Sequence, residues 1–145
     1  MIAYADGSCL GNPGAGGWAV IMRRGEDART ITGGNPAATN NRMELTGPIE
    51  ALRSMKTDAP IIFRLDSKYV IDGITQWLPR CVKNGWKNAD RKPVKNVDLW
   101  QDLVAALGSR KVTWEWTKGH ADDATNNECD RLAREAAERA ARGQW

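Results

Sequence analysis

Four acids, Asp6, Glu44, Asp66 and Asp130, each stand at a predicted element end or on a helix flank beside small polar residues. They lie too far apart in sequence for a local metal-binding loop, so any joint chemistry requires the fold to gather them. Gathered carboxylates repel one another, by about 4 kcal/mol per pair at ~4 Å and an effective dielectric of ~20, and a cation must offset this. Hard oxygen ligands without a Cys or His cluster favour Mg²⁺ or Mn²⁺, and Mg²⁺ keeps positions open for phosphate oxygens. The same residues also fit plainer roles: Glu44 in a capping box, Asp130 as a first-turn helix charge, Asp6 as a turn former. Spacing alone leaves both readings open.

The elements that must position these acids can be read from periodicity. Ile2 to Ala5, Trp18 to Arg24 and Arg29 to Thr32 read as strands, the last two joined by the polar turn Gly25 to Asp27. Gly7 to Gly17, rich in glycine and holding Pro13, reads as a tight connection suited to close backbone approach. A helix is expected from Asn41, with Leu45, Ile49, Leu52 and Met55 inward, an Asn41/Glu44 capping pair, and a kink at Gly47 and Pro48. Ile61 to Leu65 is a strand ending at Asp66, and Ser67 to Gln76 a short helix. Trp77 to Asn84 is a further short helix with Pro79 in its first turn, and Gly85 to Lys95 a basic loop. Asn96 to Leu107 is an amphipathic helix stopped by Gly108, and Val112 to Trp116 an alternating strand. Lys118 to Thr125 is a loop, and Asn126 is the expected cap of a last helix with Cys129, Leu132, Ala133 and Ala136 inward. Strands mixed with helices imply an α/β fold, with Asp6 and Asp66 meeting at the carboxyl ends of their strands.

A chain of 145 residues, 41% hydrophobic and 27% charged, suits a single domain over residues 1–145. The net charge of +3 is mild, but Lys and Arg concentrate between Lys83 and Lys95, which points to a polyanionic partner. Three cysteines without zinc spacing, and no leader-like start, predict a reduced, cytoplasmic setting. No apolar run approaches the ~20 residues of a membrane helix, so no membrane partner is expected. A monomer is the default expectation.

The strings around the acids carry more information than their spacing. Asp6-Gly-Ser-Cys-Leu-Gly-Asn-Pro-Gly14, Thr39-Asn-Asn-Arg-Met-Glu-Leu45, Leu65-Asp-Ser67 and Trp116-Thr-Lys-Gly-His120, with Asp130 ten residues on, closely resemble bacterial-type ribonuclease H of the type 1 class. The likeness runs nearly end to end, including Gly85-Trp-Lys and Arg91-Lys-Pro-Val-Lys-Asn-Val-Asp-Leu-Trp100. The resemblance implies a five-stranded mixed sheet flanked by helices and an endonuclease that cuts the RNA strand of an RNA/DNA hybrid. It places Asp6, Glu44, Asp66 and Asp130 at the metal-binding positions for two Mg²⁺ ions, with Mn²⁺ a possible substitute, and implies 5′-phosphate and 3′-hydroxyl products. His120, the single histidine, matches a position that assists catalysis and product departure.

For the substrate, the resemblance assigns Asn12, Asn40 and Asn41 to the RNA strand. An amide can donate to and accept from the 2′-hydroxyl that separates RNA from DNA. Turn or cap chemistry explains the same three residues from their neighbours. Thr39 and Asn96 match positions that hold a DNA-strand phosphate. Trp77 and Trp86, with Arg80, Lys83, Lys87, Arg91, Lys92 and Lys95, form an expected basic, aromatic-bearing protrusion. Trp100, Trp114 and Trp116 are expected in the core or on a sheet face.

The chain departs from the family at Ala37, where relatives often carry a basic residue, and at Cys81, Val82 and Asn84, where many carry tryptophan, lysine or arginine. Lys68 replaces a frequent glutamine and could either reach a phosphate or screen Asp66. The first strand, starting almost at Met1, is expected to be short. No separate hybrid-binding domain fits in this length. Two rivals share the surface or the sheet: a non-catalytic hybrid-binding module, and a nuclease or integrase acting on DNA alone.

Overall fold

A computed structural model describes residues 1–87, 95–117 and 123–144, apart from the side chain of Trp77. His120, Arg91 and Lys92 therefore lie outside the described residues, as do the middle of the basic loop and most of the loop after Trp116.

Five strands form one mixed sheet in the order β3-β2-β1-β4-β5. They are β1 (Ile2–Leu10), β2 (Gly14–Arg24), β3 (Asp27–Ala38), β4 (Ile61–Leu65) and β5 (Val112–Trp116). The first three are an antiparallel meander, while β1, β4 and β5 run parallel. The helices are α1 (Asn40–Ser54), α2 (Lys68–Asp72), α3 (Leu78–Lys83), α4 (Val97–Leu107) and α5 (Ala124–Ala141), and a π turn, Gly73–Trp77, joins α2 to α3.

Alternation along β1 splits the core in two. Ala3 and Ala5 join Val20, Leu45, Ile49, Phe63, Leu65, Trp100 and Leu103 in the larger cluster, whereas Tyr4 joins Ala19, Ile21, Cys129 and Ala133 under α5. Trp114 stacks on Phe63 at 4.8 Å, and full burial of a side chain such as Phe63 contributes ~1.5–3 kcal/mol. Trp100 is wholly buried and Trp116 is exposed on its sheet edge.

The meander is longer than its residue preferences suggest. Gly7 and Gly14 to Gly17, expected in a connection, belong to β1 and β2, and only Gly11 to Pro13 turn the chain. Nine-residue β1 is thus not the short strand expected, and its pairing with β4 is extended by the Ile62 N–H donating to the Met1 carbonyl at 2.9 Å. Glycine stands here because helices come too close for a Cβ. One on Gly17 would fall 2.2 Å from the Ala137 nitrogen of α5, and one on Gly7 would fall 2.5 Å from the Glu44 nitrogen of α1.

Two helix starts also differ from expectation. Thr39, not Asn41, caps α1, its hydroxyl accepting from the Arg42 N–H, and Asp123, not Asn126, caps α5, accepting from the N–H groups of Thr125 and Asn126. In both cases the short oxygen side chain one residue before the first helical turn wins, because only there does it reach the orphan N–H groups. Pro48 lies fully buried inside α1, and the helix continues on both sides of it. Pro79 is the second residue of α3, immediately after the π turn, a position where the loss of one donor is tolerated.

Candidate active site

The parallel register sets Ala5 opposite Leu65, so the next residues, Asp6 and Asp66, occupy adjacent stations on β1 and at the end of β4. Asp66 does close its strand, but Asp6 lies in the middle of β1, which continues to Leu10. The expectation that both end strands fails for Asp6 because the glycines after it extend the ladder. Close packing of α1 over Gly7 brings Glu44 to the same point, and one carboxylate oxygen from each of Asp6, Glu44 and Asp66 lies within 4.8 Å of the others.

Asp130 completes the group from the other side. On α5, Cys129 is buried against the sheet, its thiol donating to the Ala19 carbonyl at 3.2 Å, and the next residue turns to the rim. There Asp130 approaches Asp6 closely enough to raise its proton affinity. It remains exposed, with Arg134 3.8 Å away, and stands outside the compact triad.

The triad crowds acids away from water, which favours their protonated forms. Burial, then the negative charge of Asp66, pushes the Asp6 carboxyl up to about 8. Burial also holds Glu44 well above the carboxylate range, with Asp6 and Asp66 adding to the effect. Asp66 is raised by burial too, against a lowering hydrogen bond from Asp6. Asp6 Oδ1 accepts the Gly7 N–H at 2.9 Å, whereas Asp6 Oδ2 and Asp66 Oδ1 are buried and, among the described residues, meet no hydrogen-bonding group other than the neighbouring acids. Buried polar atoms are rarely left in that condition, and converging hard oxygen donors fit a divalent cation. The buried Cys129 thiol, raised by burial and by the same acids, stays protonated behind the cluster.

Around the acids, the expected substrate residues fall in two groups. Asn12, at the tip of the β1–β2 hairpin, accepts the Asn40 N–H at 3.2 Å, which ties the hairpin to the start of α1. Asn12, Asn40 and Asn41 line the same hairpin-to-helix junction, and all three are exposed. Thr39 lies beside them as the α1 cap. Asn96, in a left-handed conformation (φ 58°) before α4, accepts from Arg42 at 3.3 Å and donates to the Tyr69 hydroxyl at 3.1 Å.

Arg42, to which the local sequence pattern gives no role, links the α1 start to Asn96. It also pairs with both oxygens of Asp98, at 2.9 and 2.6 Å. Only tertiary structure reveals this, since Arg42 and Asn96 are distant in sequence. Trp86 is half-buried against the larger core, with a left-handed backbone (φ 65°) and its N–H on the Cys81 carbonyl, while Lys87, Arg80 and Lys83 are exposed. Trp77 lies in the π turn.

Comparison with known proteins agrees with this architecture. A family model described as RNase H matches residues 1–138. Ribonuclease H of Klebsiella pneumoniae subsp. pneumoniae is 54% identical over 134 residues, covering 92% of this chain and 86% of the relative. Ribonuclease H of Escherichia coli strain K12 is similar to the same extent, 54% over 134 residues with 92% and 86% covered. Among solved structures, LC9-RNase H1, a type 1 RNase H with the type 2 active-site motif, superposes with a TM-score of 0.82 at 37% identity, covering 99% of this chain and 72% of that one. LC11-RNase H1 in complex with RNA/DNA hybrid shares the fold at a TM-score of 0.70 and 20% identity, covering 96% and 97%.

Proposed function

The chain belongs to the ribonuclease H family, and from that premise we propose that it hydrolyses the RNA strand of RNA/DNA hybrids endonucleolytically, leaving 5′-phosphate and 3′-hydroxyl ends. The observation that carries this reading is the gathering of Asp6, Glu44 and Asp66 oxygens within 4.8 Å, in a buried cluster where, among the described residues, two oxygens meet only other acids. Asp6, Glu44, Asp66 and Asp130 would hold two Mg²⁺ ions, with Mn²⁺ as substitute, and these would supply an activated water and charge neutralisation at the leaving 3′ oxygen.

The chain's own residues then bind and orient. The amides of Asn12, Asn40 and Asn41 read 2′-hydroxyls of the RNA strand, a role supported by their shared hairpin-to-helix junction and by an amide serving both as donor and as acceptor. Thr39 and Asn96, bridged by Arg42, form a pocket for a phosphate of the DNA strand, and Arg80, Lys83, Lys87, Trp77 and Trp86 add a basic flank. His120 passes protons at the leaving side, a task its side chain can perform near neutral pH. The enzyme acts as a monomer in the cytoplasm.

Incubation of the purified protein with labelled RNA/DNA hybrid, DNA duplex and RNA duplex, with and without chelator, tests this. Chelator-sensitive cutting of the hybrid's RNA strand alone is expected. Asp66→Asn should lose activity by roughly a thousandfold or more while still binding the hybrid, because it removes a charged ligand and leaves the surface intact. His120→Ala should slow turnover and leave measurable cleavage. Binding without cleavage would identify a hybrid-binding module instead, and cleavage of the DNA duplex a DNA nuclease.

A further inference from the structure

Lys68 is the residue of this chain that the site leaves unexplained. It opens α2 immediately after the cap Ser67, two residues from Asp66, and its side chain is exposed. Its ammonium is engaged with an aromatic ring. It lies over the ring of Trp116, 5.2 Å from the centroid. Trp116 is itself held in place, because its indole N–H donates to the Asp66 carbonyl at 3.2 Å, and it is 42% exposed. A cation resting on an exposed indole face keeps its charge available while losing much of its freedom.

The position of this pair in the sheet indicates what it would meet. The acid triad sits at the β1/β4 junction. Asn12 and Asn40 flank it on the β2 side, at the hairpin tip and the start of α1, and Trp116 ends β5 on the opposite side. A nucleic-acid strand crossing the acids from the asparagines must leave over β4 and β5, past Trp116. We propose that Lys68, steadied on Trp116, grips a backbone phosphate of the cleaved strand on the flank of the site away from Asn12, Asn40 and Asn41. Lys68 is thus a positioning residue for the strand and not a screen for Asp66.

The assignment rests on the proposed hybrid cleavage, and one experiment separates the two. Steady-state cleavage of labelled hybrid is measured across a salt series for the parent protein, Lys68→Gln, Lys68→Arg and Trp116→Leu. Lys68→Gln should raise KM about fivefold at moderate salt with kcat within about twofold, and reduce the log KM against log salt slope by roughly 0.9, the signature on duplex DNA of one phosphate no longer neutralised. Lys68→Arg should restore both quantities. Trp116→Leu, which keeps the charge but removes its platform, should raise KM by a smaller factor. A Lys68→Gln protein with parental KM and parental slope overturns the assignment while hybrid cleavage stands. A parent protein that fails to cut the hybrid overturns both.

Discussion

Asp6 and Asp66 sit on neighbouring strands whose backbones are locked in parallel register, and Glu44 reaches them from a helix packed against a bare glycine. Thr39, Asn96, Asn12 and the basic α3 segment sit instead at helix starts, a hairpin tip and a short helix with exposed basic residues. The two regions tolerate change differently. A strand register cannot slip by one residue without turning every side chain over, so the acid cluster is set as firmly as the sheet. The proposed substrate face is joined by side-chain hydrogen bonds and the Arg42–Asp98 ion pair, which can break without moving the sheet.

The sharpest way to break this contrast is to disturb the acid cluster without touching an acid. Gly7→Ala would drive a Cβ to 2.5 Å from the backbone nitrogen of Glu44 and the carbonyl carbon of Met43. Neither atom can swing aside, so α1 must retreat from β1 and carry Glu44 with it. Activity should fall about a hundredfold, the loss that a misplacement of ~1 Å produces, and stability by ~1–3 kcal/mol from overpacking. Hybrid cleavage and chemical denaturation measure the two effects. Parental activity in Gly7→Ala would mean that the site adapts where the packing says it cannot.

The strings around the acids made the cluster legible, but not its geometry. β4 and β5 could be bounded from sequence because apolar, β-branched or alternating runs end abruptly at Asp66 and Thr117. β1 and β2 could not, because glycine lowers strand preference while the close approach of α1 and α5 demands it at Gly7 and Gly17. The true caps, Thr39 and Asp123, compete with equally suitable asparagines a few residues on, and only the helix start itself selects between them. Arg42 and Lys68 have roles defined by partners distant in sequence or across the sheet, which no local pattern encodes.

A second prediction sharpens the contrast through charge. The firmness of the acid cluster opposes stability, because Asp6 is pushed up to about 8 in the fold by burial and Asp66, against an ordinary 3.8. A carboxyl whose affinity for protons is raised by folding stabilises the native state only while it is protonated. That contribution is full below about pH 4 and is lost as pH rises toward 8. Without divalent ions, Asp6→Asn should therefore be more stable than the parent by about 2–4 kcal/mol at pH 8, with the difference shrinking as pH falls. Thermal melts in chelator at several pH values measure it. An Asp6→Asn protein no more stable than the parent at pH 8 would mean that the acids are not crowded as the fold places them.

The smallest effects are expected at the α3 flank, where Arg80, Lys83 and Lys87 are exposed. Replacing all three with Gln should leave the melting temperature within about 2 °C of the parent, since exposed charges of this kind contribute little to stability. Hybrid affinity should weaken, with the salt slope falling by about 0.9 for each phosphate that is no longer neutralised. Cys81 and Val82 leave this flank two uncharged positions, with Cys81 buried and Val82 47% exposed. The slope change should accordingly fall well short of that for three phosphates, and Val82→Lys should steepen it again. Loss of turnover in the triple variant at saturating hybrid would show instead that the α3 flank positions the scissile bond, and the division between a rigid catalytic cluster and a merely adhesive flank would fail.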